Sequence, residues 1–255
     1  MSDIKILVAT HKKYDMPISD IYLPIHVGKE GKEDLGFIGD NTGDHISYKN
    51  QNYCELTALY WAWKNLDCKY IGLSHYRRYF TSANLLKRLS DKKKFELILK
   101  ENEVKALLSE YDIILPKKRN YFIETVWSHY KNAHHIEDLE ETKKILVEQY
   151  PEYIESFNHV MKDKSLHLYN MFVMKKESFD SYCRWLFDIL FELEKRIDIT
   201  SYDDYQKRIF GFISERLFNV WINQAKIRSM EVPVINLEKV NWLDKIANFI
   251  KRKVS

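Results

Sequence analysis

Apolar positions along the chain fall into short, nearly continuous runs separated by stretches of helical period. Residues 4–9 form such a run, as a strand buried on both faces requires, and the polar, cationic loop Thr10, His11, Lys12, Lys13 follows at once. Similar runs occupy residues 21–27, 111–116, 168–174 and 232–237, and another opens the stretch 69–80 with Ile71 and Leu73. Between them the period becomes helical. Residues 52–66 carry Leu56, Leu59, Tyr60 and Trp63 on one face, and further helices are predicted over 101–110, 136–150 and 152–161. A long helix opened by Ser178 presents Phe179, Tyr182, Cys183, Leu186, Phe187 and Leu190. Ser201 and Asp204 make a capping box for one running to about 224, with Tyr205, Ile209, Ile213, Leu217 and Val220 as its stripe. Residues 81–100 read as an exposed helix or insertion, and residues 121–135 resist assignment. Runs that alternate with helices predict an α/β domain with a mainly parallel central sheet flanked by helices.

The tail repeats the helical period with Trp242, Leu243, Ile246, Phe249 and Ile250, beside Lys245, Lys251, Arg252 and Lys253. This is a basic amphipathic helix, suited to an anionic membrane surface or to docking on the domain. It divides the chain into a domain over 1–240 and a C-terminal helix over 241–255.

At 255 residues the chain is long enough to bury a substantial core. Seven Gly and five Pro exclude a linker-rich or disordered chain. A net charge of +3, with both signs interspersed, argues against nucleic acid as a partner. The three cysteines, Cys54, Cys68 and Cys183, are odd in number and widely spaced, which points to a reducing cytosol rather than a disulfide framework or zinc site. No signal peptide precedes the first strand, and no apolar run reaches transmembrane length.

The candidate chemistry gathers where strands end. After Ile71 and Leu73 come His75, Arg77 and Arg78 among Tyr76, Tyr79 and Phe80, and the 111–116 run is followed by Lys117, Lys118 and Arg119. Cations at strand ends sit at the edge where open α/β sheets bind ligands, and arginine forks suit phosphate. In an extended chain His75 and Arg77 share one side and Arg78 points to the other. A plainer reading pairs these arginines with surface carboxylates. Neither a Gly-x-Gly-x-x-Gly fingerprint nor a P-loop is present. Residues 36–47, rich in Gly, Asp and Asn, suit a ligand-contacting loop. Trp127, His129 and His134 are ring-bearing candidates for sugar contact, and the spacing of His129, His134 and His135 does not suit a metal. On the helix ending near 224, Arg216 falls within the apolar stripe, while Arg208, Glu215 and Asn219 share a shoulder. Arg216 is either half of an internal ion pair or, with Glu215, directed at an active site.

The motifs ATHK at 9–12, IGDNTG at 38–43, CELTALYWAWKN at 54–65, IGLSHYRRYF at 71–80, DIILPK at 112–117, NMFVM at 170–174 and SERL at 214–217 go together. As a set they resemble a bacterial capsular and exopolysaccharide glycosyltransferase family, long labelled a domain of unknown function, over about residues 4–245. The resemblance implies a GT-A-like fold and sugar transfer, in some members of galactofuranose, from a nucleotide donor with UDP as the default. The acceptor it implies is a polysaccharide or lipid-linked oligosaccharide at the cytoplasmic membrane face. Glycogenin-like GT-A enzymes hold a metal with Asp-x-Asp where this chain has His75-Tyr-Arg77. His75, Arg77 and Arg78 are therefore expected to neutralise the diphosphate with no metal or other cofactor required. The resemblance further assigns Thr10, His11, Asp40, Asn41 and Thr42 to the nucleotide and Asn170 to the sugar, with Arg216 beside them. Glu215 is the expected base, with Asp40, Asp203 and Asp204 as competitors. A non-catalytic nucleotide- or carbohydrate-binding module is the alternative.

Overall fold

A computed structural model describes residues 2–89 and 94–238. The expected tail helix over 241–255 lies outside them. The central sheet contains β1 (Ile4–Thr10), β2 (Tyr22–His26), β3 (Ile38–Gly39), β4 (Tyr70–His75), β5 (Arg78–Phe80), β6 (Ile113–Pro116), β9 (Phe172–Lys175), β10 (Ser229–Val232) and β11 (Val234–Asn236). Its main path runs β10-β6-β9-β4-β1-β2-β3. β9 is antiparallel to both neighbours, β4 and β6, while the remaining pairs of this path are parallel. Six strands therefore point one way and β9 alone is reversed. In consequence the carboxyl ends of β1, β4 and β6 share an edge with the entry to β9, and Ala9 lies directly across from His75. β5 folds back on β4 through a two-residue turn, placing Arg78 opposite His75, and β11 covers its other side. A separate ribbon pairs β7 (Arg119–Asn120) with β8 (Ser165–Leu166).

Nine helices are described: α1 (Asn50–Tyr53), α2 (Leu56–Asn65), α3 (Leu85–Leu89), α4 (Glu101–Glu110), α5 (Val126–Ala133), α6 (Ile136–Gln149), α7 (Ile154–Lys162), α8 (Lys176–Arg196) and α9 (Ile209–Ala225). They bury both sheet faces, which is why the strands read as unbroken apolar runs. Alternate residues of β1 divide accordingly: Leu7 and Ala9 enter the layer under α2, α8 and α9, whereas Ile4, Ile6 and Val8 enter the layer under α4. Gly72 lets β4 and β9 close up, since a Cβ there would sit 2.7 Å from the Phe172 carbonyl oxygen.

Several expectations change in detail: the run over 168–174 is strand only from Phe172, and the run over 232–237 is two strands, β10 beside β6 and β11 beside β5. The helix over 52–66 is interrupted at Cys54, whose φ of 53° and ψ of −131° break α1 from α2. Residues 121–135 contain α5, capped by the Thr125 hydroxyl, which accepts from Ser128 N. The helix expected from 201 becomes regular only at Ile209, because Asp203 caps a preceding 3-10 turn by accepting from Gln206 N at 2.7 Å.

Candidate functional site

The β4–β5 turn separates the three residues expected to act together. His75 Nε2 hydrogen bonds to the Tyr169 carbonyl at 2.8 Å. A carbonyl only accepts, so Nε2 carries the proton. Burial holds the imidazole below its ordinary pKa, against the charge of Glu55, so its neutral form is favoured. Arg78 lies 4.5 Å over the Tyr169 ring, and among the described residues it has no carboxylate at ion-pair distance. Arg77 points elsewhere. Its Nη1 donates to Glu238 at 2.9 Å, and its Nε is buried without a hydrogen-bond partner among the described residues. His75 and Arg78 thus both meet Tyr169, whereas Arg77 is held by Glu238. The turn at Tyr76 and Arg77 ends the extended alternation that would have joined His75 to Arg77.

Around the neighbouring end of β1 the charges are positive. His11 stands edge-on to Tyr76 at 5.5 Å. Partial burial lowers its pKa, and the charges of Lys12, Arg77, Lys32 and Arg208 lower it further. Those four cations come from four separate parts of the chain, and Lys12 and Arg77 both reach Glu238, at 3.9 and 2.9 Å. The Thr10 hydroxyl is turned into the loop, donating to the Lys12 carbonyl at 2.6 Å and accepting from Lys12 N, so it shapes the backbone that carries His11 and Lys12. Lys117, Lys118 and Arg119, beyond β9, are exposed, and the charges bearing on His11 come instead from the four named.

Helix α9 organises the segment entering β9. Asn219 clamps His167, accepting from its N at 3.0 Å and donating to its carbonyl at 2.9 Å. One turn earlier Glu215 Oε1 accepts from Tyr169 N at 2.7 Å, and Ser214 donates to Asn170 Oδ1 at 3.1 Å. Tyr169 and Asn170 have φ of 73° and 51°, a left-handed pair that L side chains rarely adopt and that the surrounding bonds impose. Glu215 Oε2 meets Arg216 Nη1 at 3.2 Å. Burial raises the Glu215 pKa, and Arg216 opposes the rise. Arg216 is 2% exposed and also donates to the Phe212 carbonyl while lying over the Tyr130 ring. Of the two readings of Arg216, the internal ion pair is the one present, formed with Glu215. Asn170 Nδ2 donates to Glu55 Oε1 at 2.9 Å, which adds a second carboxylate to the cluster.

Several expected contacts are occupied inside the fold. Asp40 is fully buried and accepts from Gly28 N, Lys29 N, Ser47 Oγ and Thr57 Oγ1, so its carboxylate braces the loop instead of facing a ligand. Thr42, though exposed, accepts from Trp61 Nε1 at 2.8 Å, and half-buried Asn41 lies between Asp40 and Thr42 along the chain. His134 stacks on Phe212 and Tyr205 and bonds Gln206, which removes its ring from a role in sugar stacking. Trp127 lines a separate groove with Lys143, Phe157 and Met161. His129 stacks at 4.0 Å on the half-buried Tyr121. Glu55, Tyr169, Lys32 and Glu238 went unnoticed in the sequence. Glu55 falls on the polar side of a helical motif, and Tyr169 acts through its backbone and ring, so neither leaves a periodic signal. No cluster of three metal-ligating side chains exists among the described residues.

Residues 5–226 match the model of a family described as a domain of unknown function, DUF4422. A solved structure titled as the apo form of the bifunctional glycosyltransferase WbbM shares 33% identity and superimposes with a TM-score of 0.87. The alignment covers 94% of this chain and 46% of that one, so this chain spans about half of its neighbour's length. No curated protein matches the sequence.

Proposed function

Because the chain belongs to the DUF4422 family, we propose that it transfers a glycosyl group from a nucleoside diphosphate sugar to a saccharide acceptor. The observation that carries this reading is the gathering of Lys12 and Arg77 on Glu238, with Arg77 Nε buried and without a hydrogen-bond partner among the described residues and Arg78 over Tyr169, at the end of β4. Departure of a diphosphate places negative charge on its oxygens, and pre-placed cations stabilise that charge as it develops. Arg77, with one buried nitrogen unpartnered, and Arg78 are the forks for the phosphates. His75 and Asn170 hold the Tyr169–Asn170 turn, and Tyr121 with His129 borders the acceptor side.

The donor class in this reading is a UDP-sugar, carrying galactofuranose or galactose, and the acceptor is a lipid-linked or growing surface polysaccharide of capsule or exopolysaccharide synthesis. Catalysis proceeds on these cations without a divalent metal, at the cytoplasmic face of the membrane. The likeness to a glycosyltransferase over 94% of the chain supports the reaction class. Incubation with a UDP-sugar panel, with and without octyl glycoside acceptors, should release UDP in an acceptor-dependent way, unchanged by EDTA. Saturable binding without turnover would make the chain a binding module. Activity abolished by EDTA and restored by manganese would sink the metal-free assignment.

A further inference from the structure

Glu55 belongs to no regular pattern in the sequence, yet three backbone distortions converge on it. Cys54, immediately before it, holds a φ of 53° with ψ of −131°, a region that favours glycine. This break between α1 and α2 is what makes Glu55 the capping position just before α2 rather than a surface position in a continuous helix. Tyr169 and Asn170, also at positive φ, face it from the entry to β9, and Asn170 fastens one carboxylate oxygen at 2.9 Å. Asn170 is itself held by Ser214 Oγ at 3.1 Å and by the Gly211 carbonyl at 3.4 Å. A Cβ on Gly211 would already touch Cys54 Sγ at 3.4 Å, so α9 packs directly against the break. Arg208 Nε closes the arrangement with a bond to Cys54 Sγ at 3.3 Å.

The neighbouring carboxylate is engaged on both oxygens. Glu215 Oε1 accepts from Tyr169 N and Oε2 from Arg216. Glu55 Oε1 takes the Asn170 amide, and Oε2 has no hydrogen bond among the described residues. Of the competing carboxylates, Asp40 is buried with four donors and Asp203 caps the turn before α9. Glu55 adjoins Cys54, which Arg208 bonds, and is itself bonded by Asn170. Its charge bears on His75 and Arg208 toward the cations and on Glu215 toward Tyr121.

Resting on the glycosyl-transfer reading, we infer that Glu55 is the general base, and that Glu215 is a positioning residue which holds the Tyr169–Asn170 turn. The free Glu55 oxygen takes the proton of the acceptor hydroxyl as that oxygen bonds to the anomeric carbon. The bond from that carbon to the diphosphate breaks, and its electron pair leaves with the diphosphate toward Arg77, Arg78 and Arg208. Attack assisted in this way comes from the face opposite the leaving group, so configuration inverts.

The test uses the full chain with UDP-galactose and UDP-galactofuranose and octyl galactoside acceptors. Glu55→Gln is isosteric, and its amide oxygen still accepts from Asn170, so the fold is kept. A general base contributes on the order of 10²–10⁴ in rate, so kcat should fall at least about 100-fold while UDP affinity by calorimetry stays within about threefold. Glu55→Asp, with the carboxylate drawn back by one methylene, should give an intermediate kcat at the same UDP affinity. Glu215→Gln should lower Tm and reduce kcat less than Glu55→Gln does. Transfer by Glu55→Gln at more than about a hundredth of the wild-type rate, or a product with retained anomeric configuration, overturns the assignment. Absence of UDP release by the wild-type protein from every donor overturns instead the transferase reading on which it rests.

Discussion

His134 and Asp138 show how one environment shifts two residues in opposite directions. Burial lowers the His134 pKa to about 4, with the Gln206 hydrogen bond opposing it. Burial raises the Asp138 pKa to about 6, against the bond donated by the Tyr202 hydroxyl. For His134, stability is complete above the unfolded value near 6.5 and is lost as pH falls toward 4, because the unfolded chain binds the proton more readily. For Asp138 the folded state binds the proton more readily, so stability is gained as pH falls from 6 toward 3.8. The two effects oppose each other between pH 4 and 6 and flatten the wild-type profile. Asp138→Asn removes only the gain. Its unfolding free energy by urea titration should drop from pH 7 to pH 4.5 by about 2 kcal/mol more than wild type. An unchanged difference would show that Asp138 ionises normally in the folded protein.

At the scale of elements, the β4–β5 turn decides the chemistry. It converts three nearly consecutive side chains into two groups, one serving Tyr169 and the other Glu238. Glu238 follows β11 and takes Arg77 at 2.9 Å, with Lys12 at 3.9 Å, so a carboxylate of the chain sits among the cations assigned to the diphosphate. A bound diphosphate must compete with it. Because both partners are about a third exposed, the pair is worth little by itself. Glu238→Gln should therefore tighten UDP binding by about threefold, and by less as salt rises. Weaker binding would mean that Glu238 contacts the nucleotide directly. Helix α9 acts over a longer span, since Ser214, Glu215 and Asn219 write the conformation of residues 167–170. Its shoulder of Glu215 and Asn219 was legible in the helical period, although the partner segment was not.

At the scale of the whole molecule, one reversed strand in an otherwise parallel path brings the ends of β1 and β4 and the entry to β9 to a common edge. Ligands of open α/β sheets bind at such an edge, and here it holds the cations, both carboxylates and the Tyr169–Asn170 turn. Among the described residues no helix is long and apolar enough to cross a membrane. Membrane contact in the proposed function therefore rests on the basic, apolar pattern of the last residues. Removal of residues 242–255 should reduce binding to anionic vesicles in a flotation assay far more than it reduces turnover of an octyl glycoside. Equal losses would make the tail a structural part of the catalytic domain.

The alternation of apolar runs and helical periods determined the α/β class, the order of strands and helices, and the concentration of cations after β4. Those features are local, because burial on two faces and helical periodicity are written in neighbouring residues. The motif set likewise pointed to the family before any coordinates. Tertiary structure alone decided which candidates meet. Asp40 resembles a ligand contact in its turn-rich loop, and only long-range packing supplies the four donors that enclose it. Glu55 resembles a surface helix residue, and only the break at Cys54 and the turn at Asn170 make it part of the site. Positive φ at ordinary residues and hydrogen bonds across more than a hundred positions have no signature in local sequence. They arise when distant elements pack, and here they determine which carboxylate is free to act.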